Sequence, residues 1–140
     1  KMSKSDPAET SRINLIDDAD TIAKKIKKAK TDTLGDMPVT IEDMAPRPEV
    51  ANLVGIYAAL SGTSDEDVLK EYGGKGFGTF KPALAELAVS KLSPITDEMR
   101  RYLDDPAQID AALAKGADKA NAVAEPIIEE VRRVVGFWHV

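Results

Sequence analysis

Cysteine is absent from the 140 residues, which excludes a disulfide framework and any thiolate metal site and fits a reducing compartment. Histidine and tryptophan occur once each, side by side as Trp138 and His139 at the end of the chain. A side chain there is rarely held firmly enough for acid–base work, so His139 is not a catalytic candidate. No apolar run approaches the roughly 20 residues of a membrane span, and no secretory leader is recognisable. Aromatic residues are only 5% of the chain and alanine is abundant, a balance that favours helices over sheets. An initial methionine is also missing. Lys1 stands first, as expected of a piece cut from a longer protein.

The remaining composition is that of an ordinary soluble domain, 43% hydrophobic and 31% charged, well away from the regime of disordered chains. The length suits one domain. A net charge of −5 argues against a protein built mainly to grip nucleic acid, but the charge is uneven. Residues 1–30 carry eight Lys/Arg against five Asp/Glu, and the remainder carries eleven against nineteen.

Apolar spacing predicts helices along most of the chain. Asp17, Asp18 and Asp20 lead into TIAKKIKKAK, with Ile22, Ile26 and Ala29 on one face. Its lysines, Lys24, Lys25, Lys27, Lys28 and Lys30, either complement the negative end of the helix dipole or form a face that meets phosphates. Residues 31–48 hold three prolines and no helical period, which reads as a long loop with extended pieces. Val50, Leu53, Val54, Tyr57 and Leu60 then mark a helix opened by Pro48 and closed by Gly62. Ser64 to Asp67 resembles a capping box for the next helix, DVLKEY, which Gly73 and Gly74 end. A long stripe follows through Phe80, Leu84, Leu87, Leu92, Ile95, Met99 and Leu103, and Pro94 inside it is expected to kink or split the helix with Ser93 capping the second piece. A final helix carries Ile109, Leu113, Ala117, Ala120, Ala124, Ile127, Val131 and Val134. The expected fold is all-α, a bundle of about five helices.

Candidates for chemistry are few. The carboxylate pairs Asp17-Asp18 and Asp104-Asp105 sit at helix ends, where capping explains them. No metal site is expected. GGKGFGTFK, Gly73 to Lys81, has a composition that suits phosphate or a stacked base. It lacks the Lys-Ser/Thr ending of a phosphate-binding P-loop, and the simpler reading is a helical corner with Phe77 and Phe80 turned inward. KMSKS, Lys1 to Ser5, is different: two lysines bring ammonium groups to a polyphosphate, while serine hydroxyls and backbone amides complete its hydrogen bonds.

KMSKS followed by DDADTIAKKIKKAKTD, RPEVANLVGIYAALSG and YGGKGFGTFKPALAE resembles the bacterial tryptophanyl-tRNA synthetases, class I aminoacyl-tRNA synthetases, over nearly the whole chain. The resemblance implies a C-terminal part starting at the mobile KMSKS loop. Residues 1–16 would be that loop and a linker from a missing Rossmann domain, and residues 17–140 a helical domain that recognises the tRNA anticodon. It further implies that the whole enzyme activates tryptophan with ATP and Mg2+ and transfers it to tRNA(Trp), in the cytoplasm and as a homodimer formed mainly through the missing domain. Lys4 would be the catalytic residue, with Lys1, Met2, Ser3 and Ser5 completing the ATP-binding loop. Arg47, Lys75 and Lys81 are expected tRNA contacts on chemistry alone. The piece by itself is expected to be an inactive monomer that binds no cofactor. The competing reading is a free-standing helical tRNA- or protein-binding module with a basic N-terminal tail.

Overall fold

Asp18 caps the first helix as the aspartate-rich start predicts, its carboxylate accepting the Thr21 N–H at 2.7 Å. The computed structural model describes residues 8–136. The described residues form a short 3-10 turn, Glu9–Ser11, and six α-helices: α1 (Ala19–Lys28), α2 (Ile41–Met44), α3 (Pro48–Ser61), α4 (Asp65–Tyr72), α5 (Phe77–Asp104) and α6 (Pro106–Val135). The all-α expectation holds. Two bodies are distinct, one ending at Met99 and the other beginning at Arg100.

In the first body α1 buries Ile22 and Ile26, and α3 buries Val50, Leu53, Val54 and Ala58. Pro48 opens α3 and Gly62, with φ +75°, closes it. Ser64 accepts the Asp67 N–H at 3.2 Å, so the expected cap of α4 is present. Phe80 lies at the centre, fully buried, with the rings of Tyr57 and Tyr72 at 5.8 and 5.2 Å. Each such buried large side chain contributes about 1.5–3 kcal/mol.

The 31–48 segment keeps one extended piece: Asp36 bridges Gly76, and the Met37 N–H donates to the Lys75 carbonyl at 2.9 Å. It also contains α2, one turn of helix that the sequence did not announce. Thr40 caps it, accepting the Asp43 N–H at 3.1 Å, and its last residue, Met44, is buried. GGKGFGTFK is a helical corner, with Phe80 buried and Phe77 packed against the core.

α5 is a single helix through Pro94, and Ser93 lies inside it instead of capping a second piece. Proline removes only one hydrogen bond here, and the buried face continues across it from Ala88 through Leu92 to Thr96. Packing outweighs the local loss.

In the second body Pro106 opens α6 and Gly136, with φ +74°, ends it, its N–H donating to the Arg132 carbonyl. The turn before α6 is tied by Gln108, whose Nε2 donates to Asp105 Oδ2 at 2.7 Å while its Oε1 accepts from Arg101 at 2.7 Å. α6 contains no buried residue. Along its apolar stripe Leu113, Ile127, Val131 and Val134 are each more than half exposed.

Candidate functional site

The motif residues Lys1, Met2, Ser3, Lys4 and Ser5 lie outside the described residues. The structure does show how the chain just after them is fixed. Ser11 Oγ donates to the Ala8 carbonyl at 2.8 Å within the 3-10 turn, Ile13 packs against the core, and Arg12 Nε donates to Asn14 Oδ1 at 3.3 Å. Asn14 to Asp17 form a tight turn in which the Asp17 N–H donates to the Asn14 carbonyl at 3.0 Å.

Asp17 is the hub of this region. Its Oδ2 accepts the Asn14 N–H at 2.8 Å and a short hydrogen bond from the Lys25 ammonium in the second turn of α1. Both side chains of the ion pair are about nine-tenths buried, 11% and 10% exposed. The Thr96 hydroxyl of α5 is shared between the Leu92 carbonyl at 3.2 Å and the Asp17 carbonyl at 3.4 Å. Thr96 is the buried polar residue of the described core. Burial pushes the Asp17 carboxyl up, but the Lys25 hydrogen bond, the Asn14 N–H and the Lys25 charge outweigh it, so the pKa lies below the ordinary value.

At its other end α1 is closed by Lys81, whose ammonium donates to the carbonyls of Ala29 at 2.6 Å and Lys27 at 3.3 Å. Asp17 beside Thr96 and Ala29 beside Lys81 make α1 antiparallel to α5. Between the two clasps runs an open groove of about 840 Å³, with Ala19, Ala23, Ala85 and Val89 among its apolar lining. Its charged lining is mixed, Asp20 and Glu86 with Lys27 and Lys81, which does not suit an anion site of one sign.

Arg47 makes a fork. Its Nε and Nη2 donate to the two carboxylate oxygens of Asp32 at 2.6 and 3.0 Å, and Nη2 also donates to the Asp36 carbonyl at 2.7 Å. The Arg47 hydrogen bond, ahead of the opposing effect of burial, holds the Asp32 carboxyl below its ordinary pKa. Lys75 is exposed, with its ammonium 5.3 Å from the Tyr72 ring centre. The structure therefore leaves Lys75 at the surface, whereas Arg47 and Lys81 have internal partners. Lys24, Lys27 and Lys28 are exposed on α1.

Sequence reading missed the Asp17–Lys25–Thr96 convergence and the Arg47–Asp32 fork. Asp17 was assigned to capping, but Asp18 alone caps α1; a carboxylate eight residues before a lysine gives no local signal. Among the described residues no cluster of His, Cys, Asp or Glu is arranged to hold a metal ion, and no helix is long and apolar enough to cross a membrane.

Residues 1–93 match the family of class I tRNA synthetases for tryptophan and tyrosine. A tryptophan–tRNA ligase of Caulobacter vibrioides is 60% identical over 138 residues, covering 99% of this chain and 40% of that protein. The tryptophan–tRNA ligase of Rhizobium meliloti is 61% identical over 137 residues, 98% of this chain and 38% of that protein. A crystal structure of tryptophanyl-tRNA synthetase from Mycoplasma pneumoniae shares the fold, with TM-score 0.69 and 24% identity over 99% of this chain and 43% of that one. The chain thus spans about two fifths of the length of the relatives it matches, and it belongs to the class I tRNA synthetases of the tryptophan and tyrosine group.

Proposed function

We propose that the chain is the C-terminal part of a tryptophan–tRNA ligase and that its KMSKS segment serves the ATP site of the whole enzyme. The observation that carries this reading is the 60% identity with a tryptophan–tRNA ligase along 99% of the chain, which includes a family match beginning at Lys1. In the reaction a tryptophan carboxylate oxygen bonds to the α-phosphorus of ATP, the bond from that phosphorus to the bridging oxygen breaks, and pyrophosphate leaves with the electron pair. Mg2+ enters with ATP as part of the substrate. Lys4 stabilises the charge growing on the leaving group. Lys1, Met2, Ser3 and Ser5 bind the triphosphate and shape the loop. The activated tryptophan then passes to tRNA(Trp).

The helical body is proposed to meet the tRNA. Of Arg47, Lys75 and Lys81, the geometry favours Lys75, because its ammonium is at the surface and stands beside an aromatic ring. A homodimer formed through the remainder of the enzyme, and a cytoplasmic location, belong to the same proposal.

The test is tryptophan-dependent exchange of labelled pyrophosphate into ATP. The longer protein that contains this chain is expected to catalyse it, and the 140-residue chain alone is not. Exchange by the longer protein with tyrosine in place of tryptophan, or with neither, overturns the reading.

A further inference from the structure

Lys4 is four residues before Ala8, so covalent reach keeps its Cα within about 14 Å of the Ala8 Cα wherever the motif works. From Ala8 onward the chain is tied down in steps: the 3-10 turn, Ile13 against the core, then the Asn14–Asp17 turn. Two ties from that turn to the helices, one to α1 and one to α5, meet at Asp17. Its carboxylate receives Lys25 from α1 and its carbonyl receives Thr96 from α5, and the same carboxylate closes the turn through the Asn14 N–H.

We propose that Asp17 is a positioning residue which, with Lys25 and Thr96, locks the Asn14–Asp17 turn onto α1 and α5 and so fixes the downstream base of the nucleotide loop. This inference rests on the reading of KMSKS as the ATP loop. Two features argue for more than a helix cap. Asp18 already supplies the cap of α1, so Asp17 is free of that duty. Thr96 places a hydroxyl in an otherwise apolar core, where valine would fit the same volume, and that hydroxyl reaches the backbone of the turn. An unanchored base would let the motif sample misplaced positions, and an error of about 1 Å costs up to a hundredfold in rate.

The experiment uses the full-length enzyme with Asp17→Ala, Lys25→Met, Thr96→Val and Thr96→Ser, each normalised by active-site titration. Asp17→Ala is expected to lower kcat/KM for ATP in adenylate formation by roughly ten- to a hundredfold, while the KM for tryptophan stays within about twofold. Lys25→Met and Thr96→Val should move the same way and less far, and Thr96→Ser, which keeps the hydroxyl, should restore the wild-type value. General destabilisation would instead reduce the titrated site concentration and leave both KM values alone. Hydrogen exchange provides a readout independent of activity: the amides of residues 8–13 should exchange faster in Asp17→Ala, with those of α3 and α4 unchanged. ATP parameters like the wild type's, an equal rise in both KM values, or unchanged exchange at residues 8–13 overturns the anchor. A wild-type enzyme that forms no adenylate overturns the functional reading instead, and the exchange measurement still decides the anchor.

Discussion

Lys81 of α5 donates to the Ala29 carbonyl at 2.6 Å, so the ammonium of one helix closes the C-terminal end of another. The last carbonyls of a helix have no partner within it and carry the negative end of its dipole. A cation from a neighbouring helix satisfies both needs and ties two elements 52 residues apart in sequence.

Lys81→Met should therefore destabilise the protein by about 1 kcal/mol, whereas Lys27→Met, an exposed lysine on the same α1 end, should change stability by less than about 0.5 kcal/mol. Thermal denaturation followed by circular dichroism compares the two. Equal effects would mean that the carbonyl contacts add nothing beyond general charge.

Arg47→Lys should not behave as a conservative change. The Asp32 carboxylate takes two parallel N–H bonds from the guanidinium fork, and a lysine ammonium cannot reproduce that geometry and also reach the Asp36 carbonyl. The expected cost is about 1.5–3 kcal/mol, since charge-assisted bonds at a mostly buried side chain are lost. In a double-mutant cycle with Asp32→Asn, the coupling should account for at least half of that loss. A cost for Arg47→Lys within about 0.5 kcal/mol of zero would contradict the clasp.

Gly73→Ala is expected to be among the more damaging single methyl additions. A Cβ there would stand 2.5 Å from the Leu69 carbonyl oxygen and 3.2 Å from the Val39 Cα, and both neighbours are backbone. Relief requires moving the end of α4 away from the 36–39 segment and its hydrogen bonds to Gly74 and Lys75. Overpacking of this kind costs roughly 1–3 kcal/mol. Gly55→Ala in α3, where nothing lies within 4 Å of the new methyl, should be neutral or slightly stabilising.

These sites show where sequence reading reaches and where it ends. The helices were legible because Pro48, Gly62, Ser64 and Gly73 punctuate them and because Ile22, Ile26, Val50 and Leu53 repeat at helical spacing. The inward face of α5 was only partly legible. Ile95 and Leu103 were assigned to its stripe and are 45% and 59% exposed, while Ala88 and Thr96 are buried. Small and polar residues carry little hydropathy signal, so a face built from them is visible only when its neighbours are in place. For the same reason Lys25 read as one lysine of a helical run, and Arg47 and Lys81 as tRNA contacts: their carboxylate and carbonyl partners lie 8, 15 and 52 residues away.

Acid should weaken the fold through Asp17 and Asp32. Both carboxyls lie below the ordinary value of 3.8 in the folded protein, so the unfolded chain binds protons first as the pH falls. Their contribution is complete above the unfolded pKa and is lost as pH drops through the lower folded values. The thermal midpoint should accordingly decline below about pH 4, and Asp17→Asn should start lower and decline less over that interval. A parallel decline in variant and wild type would remove Asp17 from the account.

Lys4→Ala in the full-length enzyme tests the chemistry assigned to the motif. If the Lys4 ammonium meets pyrophosphate mainly as charge develops on it, its loss should slow adenylate formation far more than it weakens tryptophan binding. Removing one preorganised partner of that kind costs roughly 2.7–4 kcal/mol of barrier, about a hundred- to a thousandfold in rate. Lys1→Ala should cost less, because the proposed role of Lys1 is to bind the triphosphate in ground and transition states alike, so that its loss would appear chiefly in the KM for ATP. Single-turnover adenylate formation at saturating ATP and tryptophan separates the two roles. Were both lysines solvated tail residues, each change would alter that rate by less than about twofold. An unchanged rate for Lys4→Ala would end the catalytic assignment while leaving the family membership and the helical fold in place.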